Sequence, residues 1–306
     1  MQNMTPGTTE QRRIHMIRYE EPVYRPPSEA RSLILQATIG CSHNGCAFCY
    51  MYRDKPFRVK RWNDLKNEID EAAGRRPGTR RVFLADGDAF VLGTERLERL
   101  LDHLNESFPE LQRVTAYATP KNLVAKSVEE MRRLREKGLS ILYYGVESGD
   151  TDLLERVGKG SCPDEMAEGC ARAKEAGIKL SVTVILGLGG REMSPRHARE
   201  TAKLLNRIQP NYLSALTLML GPFAEEYAGL MPPPFTFNDA LDDVRELRKM
   251  LSLLETERCI FRSNHASNYL PLAGTLMKDK QRLLDDIDRA LSSPKASLRP
   301  DWTRGL

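Results

Sequence analysis

Short apolar runs alternate with amphipathic stretches along most of this 306-residue chain, and this alternation restricts its fold more than any other feature. The apolar runs predict buried strands and are residues 32–40, 81–86, 113–119, 140–148, 179–188 and 212–220. The amphipathic stretches predict helices and are residues 62–74, 94–108, 127–137, 163–176, 194–208 and 238–254, followed by an extended run at 258–262 and a helix at 276–291. Strands this apolar are buried on both faces, so six successive strand–helix units predict a parallel sheet with right-handed crossovers.

The number of units suggests how the sheet is arranged. Six units are two fewer than a full (β/α)₈ barrel contains. We therefore predict an α/β fold, a partial (β/α)₆ TIM-like barrel with parallel strands and a C-terminal helical extension, although a doubly wound open sheet also fits the alternation. The predicted domains are an N-terminal arm (1–31), the barrel (32–225) and an extension packed on it (226–306). In either architecture the active site lies at the carboxyl ends of the strands.

Composition and charge narrow the class of protein. The chain is 41% hydrophobic and 29% charged, as ordinary globular domains are, and it has no apolar run long enough for a membrane span. Residues 1–21 lack the apolar core of a signal peptide, so we expect a cytoplasmic protein without a membrane partner. The net charge of +4 is too small to predict nucleic-acid binding.

Three of the six cysteines, Cys41, Cys46 and Cys49, lie close together directly after the first predicted strand. Thiolates at this spacing predict a metal or iron–sulfur site, and a [4Fe–4S] cube held by three cysteines leaves one iron open for chemistry. Two other sites also fit. One is tetrahedral zinc with His43 as the fourth ligand, and the other is a plant-type [2Fe–2S] site, which shares the C-x₄-C-x₂-C spacing but needs a fourth cysteine. The remaining cysteines, including Cys162, are predicted to be structural thiols.

Glycine and carboxylate motifs follow other predicted strands. They are Asp86-Gly87-Asp88, Glu147-Ser148-Gly149 and Gly187-Leu188-Gly189-Gly190. Because the carboxyl ends of parallel strands meet at one edge of the sheet, we expect these motifs to lie beside the cysteine loop.

Taken in order, these motifs resemble those of the radical S-adenosylmethionine (radical SAM) family over about residues 33–220. One feature departs from the usual pattern, because four residues rather than three separate Cys41 from Cys46, and we expect Gly45 to absorb the extra residue. The resemblance implies two cofactors, a [4Fe–4S] cluster and S-adenosylmethionine. It also implies an activity, the reductive cleavage of S-adenosylmethionine to a 5′-deoxyadenosyl radical that abstracts hydrogen from a substrate.

The same resemblance assigns roles to individual residues. Cys41, Cys46 and Cys49 would bind three irons of the cluster. Phe48 would pack near the adenine, and Gly87 and Asp88 would present backbone groups to the methionyl amine. Glu147 would accept hydrogen bonds from a ribose hydroxyl or the amine, and Lys159 would pair with the methionyl carboxylate. Ile185 and Gly187 would let the backbone approach the adenine.

The sequence marks residues that would bind the substrate less specifically than those that would bind the cofactors. Arg262, Asn264, His265 and Asn268 could donate to a carboxylate, phosphate or carbonyl group, although a helix-capping turn would also explain them. No second cysteine cluster follows the predicted barrel, so we expect a small nucleoside-like or tetrapyrrole-like metabolite. Five cations between residues 53 and 61 form either a solvated loop or a docking patch for an acidic flavodoxin- or ferredoxin-type electron donor.

The sequence also fits two other classes of protein. The chain could be an iron–sulfur electron carrier, or a binding module stabilised by zinc. Iron and sulfide content separates the zinc module from the other two readings, and cleavage of S-adenosylmethionine separates the enzyme from the electron carrier.

Overall fold

The computed structural model describes residue 17 and residues 19–305. The strands are β1 Leu33–Gln36, β2 Thr38–Ile39, β3 Arg58–Val59, β4 Arg81–Ala85, β5 Arg113–Ala118, β6 Leu139–Glu147, β7 Lys179–Leu186, β8 Tyr212–Thr217, β9 Ile260–Arg262 and β10 Ala273–Thr275. The helices are α1 Trp62–Arg75, α2 Thr94–Ser107, α3 Pro120–Val124, α4 Val128–Glu136, α5 Thr151–Arg156, α6 Pro163–Glu175, α7 Gly190–Ile208, α8 Ala224–Ala228, α9 Ala240–Leu253, α10 Lys280–Ser292 and α11 Pro294–Ser297. Of the predicted N-terminal arm, residues 1–16 and 18 lie outside the described residues.

Eight strands form one sheet in the order β1-β4-β5-β6-β7-β8-β9-β10. Neighbouring strands from β1 to β9 pair in parallel, and β10 pairs antiparallel with β9. The six predicted parallel strands are therefore present in the predicted order, and the predicted α/β class with a mostly parallel sheet is confirmed. The predicted C-terminal extension is not only helical, because it also supplies β9 and β10 to the sheet.

The two faces of the sheet differ in burial. On the outer face, alternate residues such as Val82, Leu142 and Val182 are fully buried in the main hydrophobic core beneath the helices. On the inner face, Phe83, Ala85 and Thr115 are also fully buried, whereas Tyr117 and Thr183 are only partly buried. The two faces follow from the period of two along a strand, and solvent can reach only part of the inner face.

Some helix boundaries differ from the predicted ones. Helix α7 begins at Gly190, so Ser194, the predicted N-cap, lies inside it. The backbone N–H of Arg191 donates instead to the carbonyl of Thr236, 2.9 Å away, which no local pattern could indicate. The short helices α3 and α5 were not predicted, because they span too few residues to show a helical period. No helix in the described part of the chain is both long and apolar enough to cross a membrane.

Candidate active site at the carboxyl ends of the strands

The cysteine loop leaves β2 at Gly40 and lies on the turn that follows α5. The backbone N–H of Ala47 donates to the carbonyl of Val157 at 2.9 Å, and His43 Nε2 donates to the carbonyl of Gly158 at 2.6 Å. A side chain at Gly158 would come within 2.6 Å of the carbonyl oxygen of Gly45. The turn and the loop therefore fit together closely. The Nε2 atom of His43 holds them together by its hydrogen bond, so this nitrogen is not free to bind a metal.

The left-handed residue of the loop between Cys41 and Cys46 is Asn44, and Gly45, which we predicted to absorb the extra residue, has no positive φ. Asn44 has a positive φ of 40°, and its side-chain amide donates to the carbonyl of Tyr52 at 2.8 Å. Asparagine tolerates this left-handed conformation better than most residues do, because its short polar side chain can bond locally.

The three predicted cluster ligands, Cys41, Cys46 and Cys49, are free and half-buried. Burial raises the pKa of all three thiols, and raises that of Cys46 to about 12. The charge of Lys159 acts in the opposite direction on each of them. Thiols held in this way are largely protonated at neutral pH until a metal replaces the proton.

Glu147 and Lys159 form an ion pair beside the loop, with Oε1 and Nζ 3.0 Å apart and both side chains about nine-tenths buried. Burial alone would lower the pKa of Lys159, but the charges of Glu147 and Cys46 outweigh it and raise that pKa. Lys159 Nζ also lies 5.9 Å from the centre of the Phe48 ring. Gly145 makes room for the pair, because a side chain there would overlap the Glu147 carboxylate.

The Asp86-Gly87-Asp88 motif lies under the first cysteine. Asp86 Oδ2 pairs with Lys55 Nζ at 2.7 Å and accepts the N–H of Gly40 at 3.2 Å, which ties β4 to the start of the loop. The N–H of Gly87 donates to the carbonyl of Gly40 at 3.1 Å, so its own carbonyl is the group it can offer to an amine. The side chain of Asp88 accepts hydrogen bonds at Oδ2 from Ser42, Thr119 and Asn122.

Phe48 and Ile185 pack against the same small apolar cluster, together with Leu153, Val157, Leu188, Leu220, Tyr227 and Met231. Gly187 lies at the end of β7 with a φ of +77°, which favours glycine, and a side chain there would come within 2.8 Å of Asp243 Oδ1. Gly187 and Asp243 both line a cavity of about 200 Å³ that is also bordered by Leu218, Leu220, Phe237 and Asn238.

A buried polar network behind these strand ends was not predicted. His197 Nδ1 accepts from the Ser148 hydroxyl at 2.8 Å, and its Nε2 donates to the carbonyl of Ile185 at 3.0 Å. Glu246 accepts the N–H of Gly187 at 2.9 Å. Burial lowers the pKa of His197 to about 4 and raises the pKa of Glu246 to about 7, so at neutral pH the histidine is uncharged. These residues come from α7 and α9, and no motif in either helix marks the side that faces the site.

The four predicted substrate residues have different surroundings. The Asn268 amide is buried and fully used, because it donates to the carbonyls of Ala215 and Ser263 and accepts from the Thr217 hydroxyl. His265 is half-buried and its Nδ1 accepts from Ser267, which leaves Nε2 to carry the proton. Arg262 and Asn264 are exposed, and neither side chain has a hydrogen bond or ion pair with any described residue.

The five cations after the cysteine loop all form ion pairs with carboxylates of the protein. Arg53 pairs with Glu226, Lys55 with Asp86, Arg58 with Glu20, Lys60 with Glu68 and Arg61 with Asp64. Lys60 is also buried. The docking patch predicted from the sequence is therefore largely neutralised within the protein.

The residues at this rim fit a [4Fe–4S] cluster and S-adenosylmethionine. Within the described ranges no three His, Cys, Asp or Glu side chains converge on one point as single-ion ligands do, but in a cube each cysteine binds a different iron. Buried oxygen atoms without a described partner, Asp88 Oδ1 and Tyr52 Oη, lie at the same rim and could accept a ligand's donors. Cys41, Cys46 and Cys49 would hold the cluster, with Gly87, Asp88, Glu147 and Lys159 around the methionyl group.

Comparisons with known proteins agree with this arrangement. The model of the radical SAM superfamily matches residues 35–205, which include the cysteine loop and the strand ends described above. The heme chaperone HemW of Bacillus subtilis is 24% identical over 189 residues, which cover 60% of this chain and 49% of that protein. Protein MJ1620 of Methanocaldococcus jannaschii is 23% identical over 293 residues, covering 85% of this chain and 56% of that protein.

Two solved structures share the fold. Coproporphyrinogen III oxidase (HemN) from Escherichia coli aligns with a TM-score of 0.54 and 18% identity, over 72% of this chain and 52% of that one. Methylornithine synthase (PylB) aligns with a TM-score of 0.51 and 17% identity, over 75% of this chain and 63% of that one. The chain spans about half the length of these two curated relatives, 49% of HemW and 56% of MJ1620.

Proposed function

The chain belongs to the radical SAM superfamily, and from this premise we propose that it cleaves S-adenosylmethionine reductively and directs the resulting 5′-deoxyadenosyl radical to abstract hydrogen from a small tetrapyrrole-like metabolite. The observation that carries the proposal is the docking of a three-thiol loop against the turn that bears Lys159, next to Glu147. The heme chaperone HemW supports the tetrapyrrole class, and no described contact favours the nucleoside-like alternative.

The protein's own residues have three tasks in this proposal. The three cysteines hold the cluster at the rim, and Lys159 offsets the negative charge that collects there. Glu147, and backbone groups of Gly87, orient the amine of S-adenosylmethionine. The apolar cluster around Phe48 and Ile185 excludes water from the side where the adenine would lie, which protects a reactive intermediate from side reactions.

The direct test is anaerobic turnover. Protein reconstituted with iron and sulfide is reduced with dithionite, and 5′-deoxyadenosine and methionine are measured by mass spectrometry after S-adenosylmethionine is added. We expect both products from the wild type and from Cys162→Ala, a control that removes a thiol outside the loop, and neither from Cys46→Ala. A fully reconstituted wild type that yields neither product contradicts the proposal.

A second candidate is transfer or storage of heme without radical chemistry, which is favoured by the name of the B. subtilis relative. It predicts a saturable shift of the Soret band when heme is titrated into the protein and no cleavage of S-adenosylmethionine in the assay above. The two measurements together separate this candidate from the enzyme.

The proposed electron donor is a flavodoxin or ferredoxin, and we expect the protein to work in the cytoplasm, where thiols stay reduced. Arg58 is the most suitable cation to test, because it is half-exposed and its partner Glu20 is on the surface. Arg58→Glu should slow reduction by flavodoxin several-fold and leave dithionite reduction unchanged. Equal slowing of both reductions would remove the docking role, and Arg80→Glu, on another exposed pair, is the matched control.

A further inference from the structure

The inner face of the sheet carries a row of aligned residues, of which only Gly145 has a role in the site described above. Gly145 on β6 is opposite Thr183 on β7, Thr183 is opposite Ser214 on β8, and Ser214 is opposite Arg262 on β9. We call Gly145, Thr183, Ser214 and Arg262 the inner row. Strand spacing places its two ends about 14 Å apart.

The inner row is open to solvent although it crosses the middle of the sheet. Gly145, Thr183 and Ser214 are partly exposed and Arg262 is exposed, whereas their outer-face neighbours Val182, Leu213 and Phe261 are buried. No described residue hydrogen-bonds to the side chains of Thr183, Ser214 or Arg262. Two hydroxyls and a guanidinium therefore project from the inner face of the sheet without a hydrogen-bond partner among the described residues.

The inner face carries aromatic side chains on β4–β6 and a mixture of polar and apolar side chains on β7–β9. Phe83, Tyr117 and Tyr143 stack edge to face on β4, β5 and β6, with ring centres between 5.0 and 6.1 Å apart. Phe83 and Tyr143 are buried, so among these rings only Tyr117 is partly exposed. The inner-face residues of β7–β9 are Thr183, Ser214 and Arg262 together with apolar residues such as Ile185 and Leu216. The one carboxylate among the described inner-face residues of β4–β9 is Glu147, which is already paired with Lys159.

These surroundings select the chemistry of a ligand. A flat apolar body would pack on the apolar inner-face residues and the exposed part of Tyr117, and an anionic group would bind the guanidinium of Arg262. A single planar guanidinium flanked by two hydroxyls suits a carboxylate, which it can bind through two parallel hydrogen bonds. A phosphate site would more often add a helix N-terminus or several cations, and the inner row has neither.

We propose that the inner row binds the carboxylate of a flat, largely apolar substrate, with Arg262 as its anchor and the substrate body extending over Ser214 and Thr183 towards Gly145, beyond which Tyr117 lies on β5. The Gly145 end of the inner row adjoins the Glu147–Lys159 pair, so a substrate anchored at Arg262 reaches the place where the radical would form. This inference rests on the proposed function for the reaction and adds the class of substrate and its orientation.

The test measures binding of coproporphyrin III, a flat tetracarboxylate, to the reconstituted protein without S-adenosylmethionine, by fluorescence anisotropy. We expect Arg262→Gln to raise the dissociation constant about ten-fold or more, as loss of a charged hydrogen bond does. Arg262→Lys should lose less, and Thr183→Val should show an intermediate loss. Arg258→Gln, which removes the same charge four residues away in the turn before β9, should bind as the wild type does.

Several outcomes would overturn the inference. If the wild type does not bind coproporphyrin III, or if Arg262→Gln and Arg258→Gln weaken binding equally, Arg262 is not the anchor of the substrate. Displacement of the bound porphyrin by inorganic phosphate but not by propionate at equal ionic strength removes the carboxylate assignment. Cleavage of S-adenosylmethionine without porphyrin binding contradicts this inference and the tetrapyrrole class but not the radical chemistry, whereas Arg262-dependent binding without cleavage contradicts the radical chemistry alone.

Discussion

At the scale of single residues, the candidate site depends on left-handed backbone conformations that cluster around the cysteine loop. Gly40, Gly158 and Gly160 have φ values of +70°, +65° and +71°. Glu147 adopts a φ of +62° although it is not glycine. A left-handed residue other than glycine costs about 1–2 kcal/mol, so the ion pair with Lys159 helps to keep Glu147 in an unfavourable conformation.

Gly160 gives the sharpest test at this scale. A Cβ atom there would lie 2.5 Å from His43 Cε1, so Gly160→Ala should push the cysteine loop off its turn as well as strain the backbone. We expect the free energy of unfolding to fall by about 2 kcal/mol in urea denaturation and the iron content after reconstitution to fall several-fold. Gly74→Ala is the control, because nothing lies near its Cβ position in α1. An unchanged iron content in Gly160→Ala would show that the turn does not support the loop.

At the scale of secondary structure, the sequence predicts a helix cap when neighbouring side chains form it. It does not predict a cap that a distant backbone carbonyl provides. Ser127 and Glu130 form the capping box that their spacing predicts at the start of α4. Hydrogen bonds from the Ser127 backbone, the Thr94 hydroxyl and the Ser127 hydroxyl lower the pKa of Glu130 to about 2. A lowered carboxyl pKa stabilises the fold above the ordinary pKa, near 4.5, and that contribution is lost as the pH falls through about 2.

Ser127→Ala should therefore destabilise the protein by about 1 kcal/mol at pH 7 and by less at pH 3. The change at pH 7 is small because the box is exposed to solvent. Urea denaturation at the two pH values measures it, and Ser252→Ala is the control, since that exposed hydroxyl donates only to the Lys249 carbonyl within α9. A larger loss at pH 3 than at pH 7 would contradict the role of Glu130.

The arrangement of strands and helices explains which parts of the site the sequence could predict and which it could not. The strand-end motifs around Cys41, Asp88 and Glu147 were predictable, because parallel strands bring their carboxyl ends together whatever the helices do. His197, Asp243 and Glu246 were not, because the side of α7 or α9 that faces the site depends on packing between distant segments. The strands β9 and β10 were also missed as sheet members, because each has only three residues.

At the scale of the whole molecule, α9 brings two buried carboxylic acids against the sheet. Asp243 and Glu246 are both almost fully buried, and burial raises the pKa of each to about 7. Asn238 donates to Asp243 at 3.0 Å, and Glu246 lies 3.5 Å from His197, which is uncharged. The carboxylate of Glu246 also raises the pKa of Asp243, Arg304 lowers it, and the carboxylate of Asp242 raises it slightly.

These acids predict how the stability of the protein depends on pH. A carboxyl group with a raised pKa stabilises the folded state fully below its ordinary pKa, near 4, and loses that contribution as the pH rises through about 7. The free energy of unfolding should therefore fall by about 2 kcal/mol for each of the two acids, about 4 kcal/mol in total, between pH 5.5 and pH 8, since each unit of pKa difference is worth about 1.4 kcal/mol. Asp243→Asn keeps the shape but cannot ionise, so it should remove about half of this fall, whereas the surface variant Asp54→Asn should not reduce it. Urea denaturation across this range measures the profile, and an Asp243→Asn profile as steep as that of the wild type would show that Asp243 ionises without cost in the folded protein.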